Sequence, residues 1–225
     1  MAKNIIITGT TGNLGSAVAK KFTAEGYQVI GSSTPGRKTP DDEVNYFEAD
    51  LIDETSSQQF FDQAFDKCGK VDAGIFLVGG FGMGDISTTS DSDIQKMINL
   101  NLMTAFHCTK NLYAHLKENG GGKMVLVGAK PAIEDGGSAM MAYTLSKTTV
   151  VKLAELLNET GRDDNIQTSV IVPSIIDTPL NRESMPDANF HDWVTPETIA
   201  ENIHFLISDK ADALRDTILK LYGNS

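Results

Sequence analysis

Tyr143 and Lys147 stand four residues apart in the sequence Tyr-Thr-Leu-Ser-Lys. Four residues make about one helical turn, so on a helix both side chains project from the same face. A nearby ammonium favours the phenolate, which would lower the pKa of a tyrosine from its ordinary value of about 10 toward the range useful for general acid catalysis. The spacing predicts a proton donor with a tuning cation. The alternative is an exposed helix on which the pair occurs by chance.

A glycine-rich segment, Thr-Gly-Thr-Thr-Gly-Asn-Leu-Gly at positions 8–15, lies between the first apolar run and the first helical pattern. Glycines there allow a tight turn, and the backbone N–H groups at the start of the helix can bind a pyrophosphate. The segment lacks the Gly-Lys-Ser/Thr ending of a triphosphate-binding loop. An ordinary strand-to-helix turn is the alternative. The predicted cofactor-binding residues of this loop are Gly9, Thr11, Gly12, Asn13, Leu14 and Gly15.

The end of the second predicted strand is where cofactor choice is expected. A carboxylate at this place binds the ribose hydroxyl of NAD and repels a 2′-phosphate. This chain instead has Ser32 and Ser33, with Arg37 and Lys38 following within reach. The pattern favours NADP(H) over NAD(H) as the cofactor, the alternative being a solvated turn that accepts either.

Asp50 and Leu51 follow the third predicted strand. They are predicted to hold the edge and the face of the adenine. A helix N-cap role for Asp50 or Asp53 is the alternative interpretation.

The composition restricts the class of protein. With 225 residues, of which 40% are hydrophobic and 22% charged, the chain suits one globular domain, residues 1–225. The net charge of −11 disfavours a nucleic-acid partner, because phosphate binding needs clustered Lys and Arg. No metal site is expected, since Cys68 and Cys108 have no Cys or His at ligand spacing. No export signal and no run of about 18 apolar residues is found, which predicts a cytoplasmic protein without a membrane segment.

Short apolar runs alternate with longer helical patterns along the chain. Strands are predicted at 4–8, 27–32, 44–49, 71–78, 124–127, 166–172 and 217–221, and helices at 14–25, 55–67, 91–118, 142–160 and 196–208. Strands that are apolar on successive residues are typical of a parallel sheet covered by helices, so the pattern predicts a doubly wound α/β fold. The irregular segments 79–90, 130–141 and 173–195 follow strands and should converge on a ligand crevice.

Together, the glycine-rich loop, Asp50, the Tyr-x-x-x-Lys pair and the seven-strand rhythm resemble the short-chain dehydrogenase/reductase family over essentially the whole chain. The resemblance implies a single Rossmann-type sheet of order 3-2-1-4-5-6-7 and hydride transfer between a nicotinamide and a carbonyl or similar group. Tyr143 would be the acid, and Lys147 would also hold the nicotinamide ribose. Asn101 would support a water that leads to the lysine, the alternative being a helix Asn that faces neighbouring backbone.

The same resemblance assigns further cofactor contacts. The segment that begins at Pro173 would close over the nicotinamide, with the backbone of Ile176 and the hydroxyl of Thr178 in contact with it. After the fourth strand the family usually has Asn-Asn-Ala-Gly, and this chain has Phe76-Leu77-Val78-Gly79 followed by Gly80. Gly79 and Gly80 are expected to keep the backbone path to the cofactor without the two Asn side chains. The helices at 91–118 and 142–160 would pair with a second subunit in a homodimer or homotetramer, unless their apolar faces only cover the chain's own sheet.

The fifth predicted strand departs from the family. Ala129 stands where a serine usually binds the substrate carbonyl, and a methyl group cannot donate a hydrogen bond. Either the substrate is oriented in another way or catalysis has been lost. Ser138 or Thr144 could substitute for the missing hydroxyl.

One branch of the family, the dihydropteridine reductases, resembles this chain in the Gly-Gly-aromatic run at 79–81, the Gly-Ala-Lys run at 128–130 and the segment 177–187. This likeness implies reduction of a flat conjugated ring such as quinonoid dihydropterin, on which Phe81 could stack. Against it, those reductases carry an acidic residue where Ser33 stands and a Trp where Phe81 stands. The predicted substrate-facing residues are Phe81, Ala129, Met185 and Trp193, although Trp193 could equally anchor the loop.

The leading hypothesis is an NADP-preferring reductase of a small carbonyl or conjugated imine, with Tyr143 as proton donor. The competing hypothesis is a catalytically silent NADP(H)-binding redox sensor, motivated by Ala129 and by the missing Asn pair.

Overall fold

The computed structural model describes residues 3–40 and 42–225. Seven parallel strands form one sheet in the order β3-β2-β1-β4-β5-β6-β7, which confirms the predicted topology. The strands are β1 (Asn4–Thr8), β2 (Gln28–Ser33), β3 (Asn45–Glu48), β4 (Ala73–Phe76), β5 (Gly122–Val127), β6 (Ile166–Pro173) and β7 (Ile218–Leu221). The order reverses between β1 and β4, and in such sheets ligands bind at the carboxyl ends of the strands beside this reversal.

Helices cover both faces of the sheet. They are α1 (Asn13–Ala24), α2 (Glu54–Cys68), α3 (Asp91–Met97), α4 (Thr104–Glu118), α5 (Met141–Gly161), α6 (Pro179–Ser184) and α7 (Pro196–Ile207). Strand β1 shows why its apolar residues are consecutive: Ile6 packs in the core beneath α2, α4 and α5, whereas Ile5 and Ile7 pack in the core beneath α1 and α7. Because successive side chains point to opposite faces, a strand covered on both sides must be apolar throughout.

The stretch predicted to be helical at 91–118 is helical throughout, which confirms the prediction, but the type of helix changes within it. The α-helical segments α3 and α4 are joined by a π-helical segment, Ile98–Met103, which contains Asn101. A π-helical turn accommodates extra residues in the i→i+5 hydrogen-bonding pattern and often occurs at functional sites. The apolar periodicity on either side of the segment gives no sign of this change.

The segment 173–195, predicted to be irregular, contains the short helix α6 and a 3-10 turn, Phe190–Asp192. The Thr178 hydroxyl caps α6 by accepting from Asn181 N at 3.2 Å, and Pro179 occupies the first helical position, where proline is favoured.

In the described part of the chain, no helix is both long and apolar enough to cross a bilayer. Within the same residues, no group of three or more His, Cys, Asp or Glu side chains is placed to hold a metal ion. Cys68 and Cys108 are free thiols.

Candidate active site

The glycine-rich loop presents backbone donors at the start of α1. Gly12 is the N-cap residue, and no side chain caps the helix or places an acidic group in its first turn. Gly9 has φ of +71°, and a Cβ at Gly15 would collide with the Gly9 carbonyl, so both positions need glycine. The uncapped N–H groups and the positive end of the helix dipole together suit an anion such as a pyrophosphate.

The other loop residues lie around this turn. The Thr11 carbonyl accepts a hydrogen bond from Arg37 Nη2 at 2.8 Å. Asn13 is exposed, whereas Leu14 is half-buried and packs against the α1 and α7 core. The residues that the sequence predicted for this site therefore lie together in one loop. Leu14 contributes mainly by packing.

The end of β2 is joined to this loop by hydrogen bonds. Ser32 Oγ accepts from Gly9 N at 3.1 Å, and the Ser32 carbonyl accepts from Thr10 Oγ1 at 2.9 Å. Ser33 is only 2% exposed, and its Oγ has no hydrogen-bond partner among the residues that the structure describes. A buried hydroxyl without a partner is uncommon, because its desolvation is not compensated. Ser33 thus carries an unused donor and acceptor at the place where cofactor choice is expected.

A cleft of about 500 Å³ opens beside Ser33. The cleft is lined by Ser33, Gly36, Arg37, Lys38, Thr39, Tyr46 and Glu48. Two cationic side chains and the unpartnered hydroxyl fit a phosphorylated ribose, so the residues present are compatible with the adenosine end of a nicotinamide dinucleotide.

Asp50 and Leu51 lie in the turn between β3 and α2, where each has contacts within the chain. Asp53, not Asp50, is the N-cap of α2, accepting from Ser56 N at 2.7 Å. Asp50 Oδ1 accepts from Ile52 N at 3.0 Å and braces the preceding turn. Leu51 is 5% exposed and belongs to the core, so its side chain offers no open face to an adenine.

Tyr143 and Lys147 lie on the first turns of α5, as their spacing predicted. Lys147 is 6% exposed, and its Nζ donates to the Val127 carbonyl at 2.9 Å at the end of β5. Burial lowers the pKa of Lys147 to about 8. Burial also raises the pKa of Tyr143 to about 12, in the direction opposite to the expected tuning. Desolvation disfavours the charged form of both groups and is the cause of both shifts.

Asn101 holds the backbone that follows β4. Its Oδ1 accepts from Gly80 N at 2.9 Å, and its Nδ2 donates to Gly80 O at 3.1 Å. The same Nδ2 donates to Ser146 Oγ at 2.9 Å, and Ser146 Oγ donates to the Tyr143 carbonyl at 2.7 Å. The side chain of Asn101 therefore faces neighbouring backbone, which is the alternative to the water-bearing role.

Gly79 lies between the catalytic candidates. A Cβ at this position would lie 2.6 Å from Asn101 Oδ1 and 3.2 Å from Lys147 Nζ. The backbone at Gly79 can pass between these two side chains only without a Cβ. Local packing thus favours glycine at position 79.

Two predicted substrate-facing residues lie beside this centre. The Phe81 ring meets the Tyr143 ring edge-on, with centroids 5.0 Å apart and an interplanar angle of 69°, and Phe81 is 59% exposed. Ala129 is buried just beyond β5 and supplies no polar atom from its side chain. Of the suggested substitutes, Ser138 is exposed, and Thr144 Oγ1 donates to the Gly137 carbonyl at 3.3 Å.

The segment after β6 is braced from within. The Ile176 carbonyl accepts from Asn181 Nδ2 at 2.8 Å, and Ile176 pairs with Val194 in an isolated β-bridge. Trp193 is 7% exposed and packs on Phe190 at 4.8 Å between centroids. The indole is thus an anchor of this segment and not an open substrate contact. The half-buried Met185 follows α6 directly.

Sequence reasoning missed two residues of the site. Ser146 is fully buried and links Asn101 to the Tyr143 backbone. Glu48 lines the cleft beside Ser33 from the neighbouring strand. The position of Ser146, next to Lys147, was the only available signal for the first, and nothing in the local sequence of β3 points to the second.

A doubly wound parallel sheet with an uncapped glycine-rich loop at its first crossover, and a buried Tyr-Lys pair across the crevice, defines a Rossmann-type dinucleotide-binding architecture. The model of the short chain dehydrogenase family matches residues 3–189. The chain therefore belongs to the short chain dehydrogenase family, a family of oxidoreductases.

Known proteins of this kind cover nearly the whole chain. Dihydropteridine reductase of Dictyostelium discoideum is 32% identical over 206 residues, 90% of this chain and 87% of the relative. The structure titled "ElxO with NADP Bound" superposes with a TM-score of 0.92 at 21% identity, covering 99% of this chain and 98% of that one. A 3-ketoacyl-(acyl-carrier-protein) reductase from Brucella melitensis, complexed with NADH, gives a TM-score of 0.85 at 22% identity and covers 98% and 97% of the two chains.

Proposed function

We propose that this protein is an NAD(P)H-dependent reductase that acts on a small conjugated imine or carbonyl, with Tyr143 as the proton donor. The observation that carries the proposal is the half-buried Tyr143 on the same helix as the buried Lys147, with Lys147 bonded to the end of β5 and the buried Asn101 bonded to the backbone after β4. Its support from known proteins is the 32% identity to a dihydropteridine reductase.

The nicotinamide cofactor would supply the hydride. The chain's own residues would hold its two ends: the start of α1 binds the pyrophosphate, and Ser33 and Arg37 meet the adenosine ribose. At the other end, Lys147 and the backbone at Gly79 line the floor of the crevice, with the segment from Pro173 to Thr178 above it.

Tyr143 is proposed to donate a proton. The phenol is protonated at neutral pH, as an acid must be before it reacts, but burial raises its pKa to about 12, which makes it a weaker acid than an exposed tyrosine. When a hydride adds to one end of a C=O bond or of a conjugated imine system, the phenol proton would pass to the oxygen or nitrogen at the other end and leave a phenolate. Lys147, whose pKa of about 8 keeps it mostly charged at neutral pH, stabilises that phenolate.

The substrate is proposed to be a flat conjugated ring. Phe81 offers an exposed aromatic face next to Tyr143, and such faces hold planar rings by stacking. Ala129 offers no hydrogen bond to a substrate carbonyl, which disfavours simple ketones that depend on one. A quinonoid dihydropterin satisfies both conditions.

The competing proposal, a cofactor-binding redox sensor without catalysis, draws on Ala129 and on the missing Asn pair. A sensor has no use for an acid, yet Tyr143 is held at a backbone carbonyl that Ser146 links to Asn101. This retained geometry favours the enzyme.

The proposal is tested by following NADPH consumption with quinonoid dihydropterin, quinones, aldehydes and ketones. Tyr143→Phe is expected to lower kcat by at least about 100-fold on any substrate that the wild type reduces, because general acid catalysis is removed. Tyr113→Phe is the matched control, since the Tyr113 hydroxyl bonds to Asp164 on the surface, and this variant should retain wild-type turnover. Cofactor binding without consumption of any substrate would favour the sensor, and full activity of Tyr143→Phe would contradict the proposed mechanism.

We also propose that NADPH is preferred over NADH. The basis is Ser33 with its unpartnered hydroxyl, together with Arg37 and Lys38 in the same cleft. Ser33→Asp should weaken NADPH binding by at least about tenfold, because a carboxylate would face the 2′-phosphate. A titration in which Ser33→Asp binds NADPH as well as the wild type does would refute this assignment.

Self-association is proposed through the outer faces of α4 and α5. Phe106, Leu145 and Leu156 are 41%, 50% and 49% exposed there, an apolar set that a second copy would cover. Analytical ultracentrifugation should show a dimer or a tetramer, and Leu156→Glu should shift it toward the monomer. A wild-type monomer at micromolar concentration would contradict this proposal.

A further inference from the structure

Glu48 ends β3 directly beside Ser33, which ends β2. The two residues are Cα partners in the parallel pairing of β2 with β3. Neighbouring strands lie about 4.8 Å apart, so their terminal side chains border the same space. Both residues line the cleft that also contains Arg37 and Lys38. The carboxylate that β2 lacks is thus present on the adjacent strand.

The carboxylate of Glu48 is held in place by the loop that carries the basic residues. Its Oε1 accepts from Gly36 N at 3.1 Å. Gly36 has φ of +74°, and Arg37 N donates to the Thr34 carbonyl at 3.0 Å, which closes a tight turn. The Arg37 guanidinium points toward the glycine-rich loop, where it donates to the Thr11 carbonyl. The cleft therefore has a cation directed at one wall and an anion fixed on another.

We propose that Glu48 determines cofactor selectivity from the neighbouring strand, by opposing a 2′-phosphate and by accepting a hydrogen bond from a free ribose hydroxyl. The inference rests on the proposed nicotinamide-dependent function. A phosphate monoester carries about −1.5 to −2 charges at pH 7, so a carboxylate at the border of its pocket repels it. Ser33, Arg37 and Lys38 attract the same group. The preference for NADPH over NADH is therefore smaller than the basic residues alone would give.

The substitution Glu48→Gln isolates the charge. The amide oxygen of glutamine can still accept from Gly36 N, so the turn that presents Arg37 is retained. Calorimetric titration with NADPH and NADH should show the ratio Kd(NADH)/Kd(NADPH) rising by about fivefold, as expected for the loss of one like charge in a solvated cleft. 2′-AMP carries the phosphate without the nicotinamide. Its titration should show tighter binding to Glu48→Gln than to the wild type. Added salt should reduce the difference between the variant and the wild type.

Glu43→Gln is the matched control. Glu43 is an exposed acid that precedes β3, at the opposite end of the strand from Glu48, and it is not among the residues that line the cleft. The substitution Glu43→Gln removes the same charge from the protein, and the ratio Kd(NADH)/Kd(NADPH) should stay at the wild-type value.

The outcomes separate the two levels of the proposal. If the wild type binds both dinucleotides and Glu48→Gln leaves the ratio unchanged, or weakens NADPH binding, Glu48 only shapes the turn and the inference is overturned. An equal change in Glu43→Gln would also overturn it, because the effect would then come from net charge. If the wild type binds neither dinucleotide, the proposed function itself fails, and the inference fails with it.

Discussion

Replacing Gly79 by alanine tests the packing at the centre of the site. The added Cβ would lie 2.6 Å from Asn101 Oδ1 and 3.2 Å from Lys147 Nζ. The nearer contact is impossible without movement, and the Asn101 amide is held by hydrogen bonds to Gly80 N, Gly80 O and Ser146 Oγ. The substitution must therefore displace Asn101, weaken these bonds, or push the loop after β4 away from α5.

The expected cost follows from opposing contributions. Overpacking costs about 1–3 kcal/mol, and one weakened hydrogen bond costs about 1 kcal/mol more. Restriction of the unfolded chain by alanine offsets about 0.4–1 kcal/mol. The net loss in the free energy of unfolding is therefore about 1–3 kcal/mol, which corresponds to a fall of about 2–12 °C in Tm for a chain of this size.

Gly82→Ala is the control, because it lies in the same loop and its added Cβ would meet Met97 Sδ at an ordinary 3.6 Å. Urea unfolding should place Gly82→Ala at or slightly above wild-type stability and Gly79→Ala below it. Turnover of Gly79→Ala should fall by at least about tenfold, since small displacements of catalytic groups are costly. If Gly79→Ala matched Gly82→Ala in both measurements, the close approach of Gly79 to Asn101 and Lys147 would be wrong.

Further predictions concern stability and the support of the site. His115 Nε2 accepts from Val71 N at 3.0 Å, and burial lowers the pKa of His115, so its folded pKa lies below its unfolded value of about 6.5. The stability that depends on neutral His115 is thus fully present above about pH 6.5 and is lost as the pH falls below that value. Urea midpoints should detect this decline, and the decline should be smaller in His115→Gln. Ser146→Ala removes one of the two oxygen atoms that accept from Asn101 Nδ2 and should cost about 1–3 kcal/mol of unfolding free energy, whereas an unchanged urea midpoint would exclude the Asn101–Ser146 hydrogen bond. Asp53→Ala removes the cap on Ser56 N and should cost about 1 kcal/mol of unfolding free energy by the same assay. An unchanged urea midpoint would contradict the capping role of Asp53.

The fold was predictable because its signals are local and repeated. Ile5, Ile6 and Ile7 show a strand buried on both faces, and the glycines that follow show a turn into a helix. Tyr143 and Lys147 were identifiable because α5 converts a spacing of four residues into a shared face. These features depend on neighbours along the chain, which the sequence displays directly.

Other features depend on contacts between distant segments. The π-helical segment around Asn101 is stabilised by bonds to Gly80 and Ser146, 21 and 45 residues away, and nothing in its own sequence marks it. The direction of the Tyr143 pKa shift depends on how deeply the folded protein buries the phenol. Leu51 and Trp193 were predicted to contact ligands because of the loops in which they lie. In the structure, Leu51 is buried in the core and Trp193 is buried against Phe190.

The central claim, that Tyr143 donates the proton in a hydride transfer, is tested most directly by single-turnover kinetics with labelled cofactor. The protein is mixed with quinonoid dihydropterin and either NADPH or NADPH that carries deuterium at the transferable position of the nicotinamide, and oxidation of the cofactor is followed by absorbance. The wild type should react more slowly with the deuterated cofactor, because the bond to the transferred hydrogen breaks in this step, and Tyr143→Phe should react at most about one hundredth as fast as the wild type. Equal rates for the wild type and Tyr143→Phe, or equal rates with the two cofactors, would contradict the account.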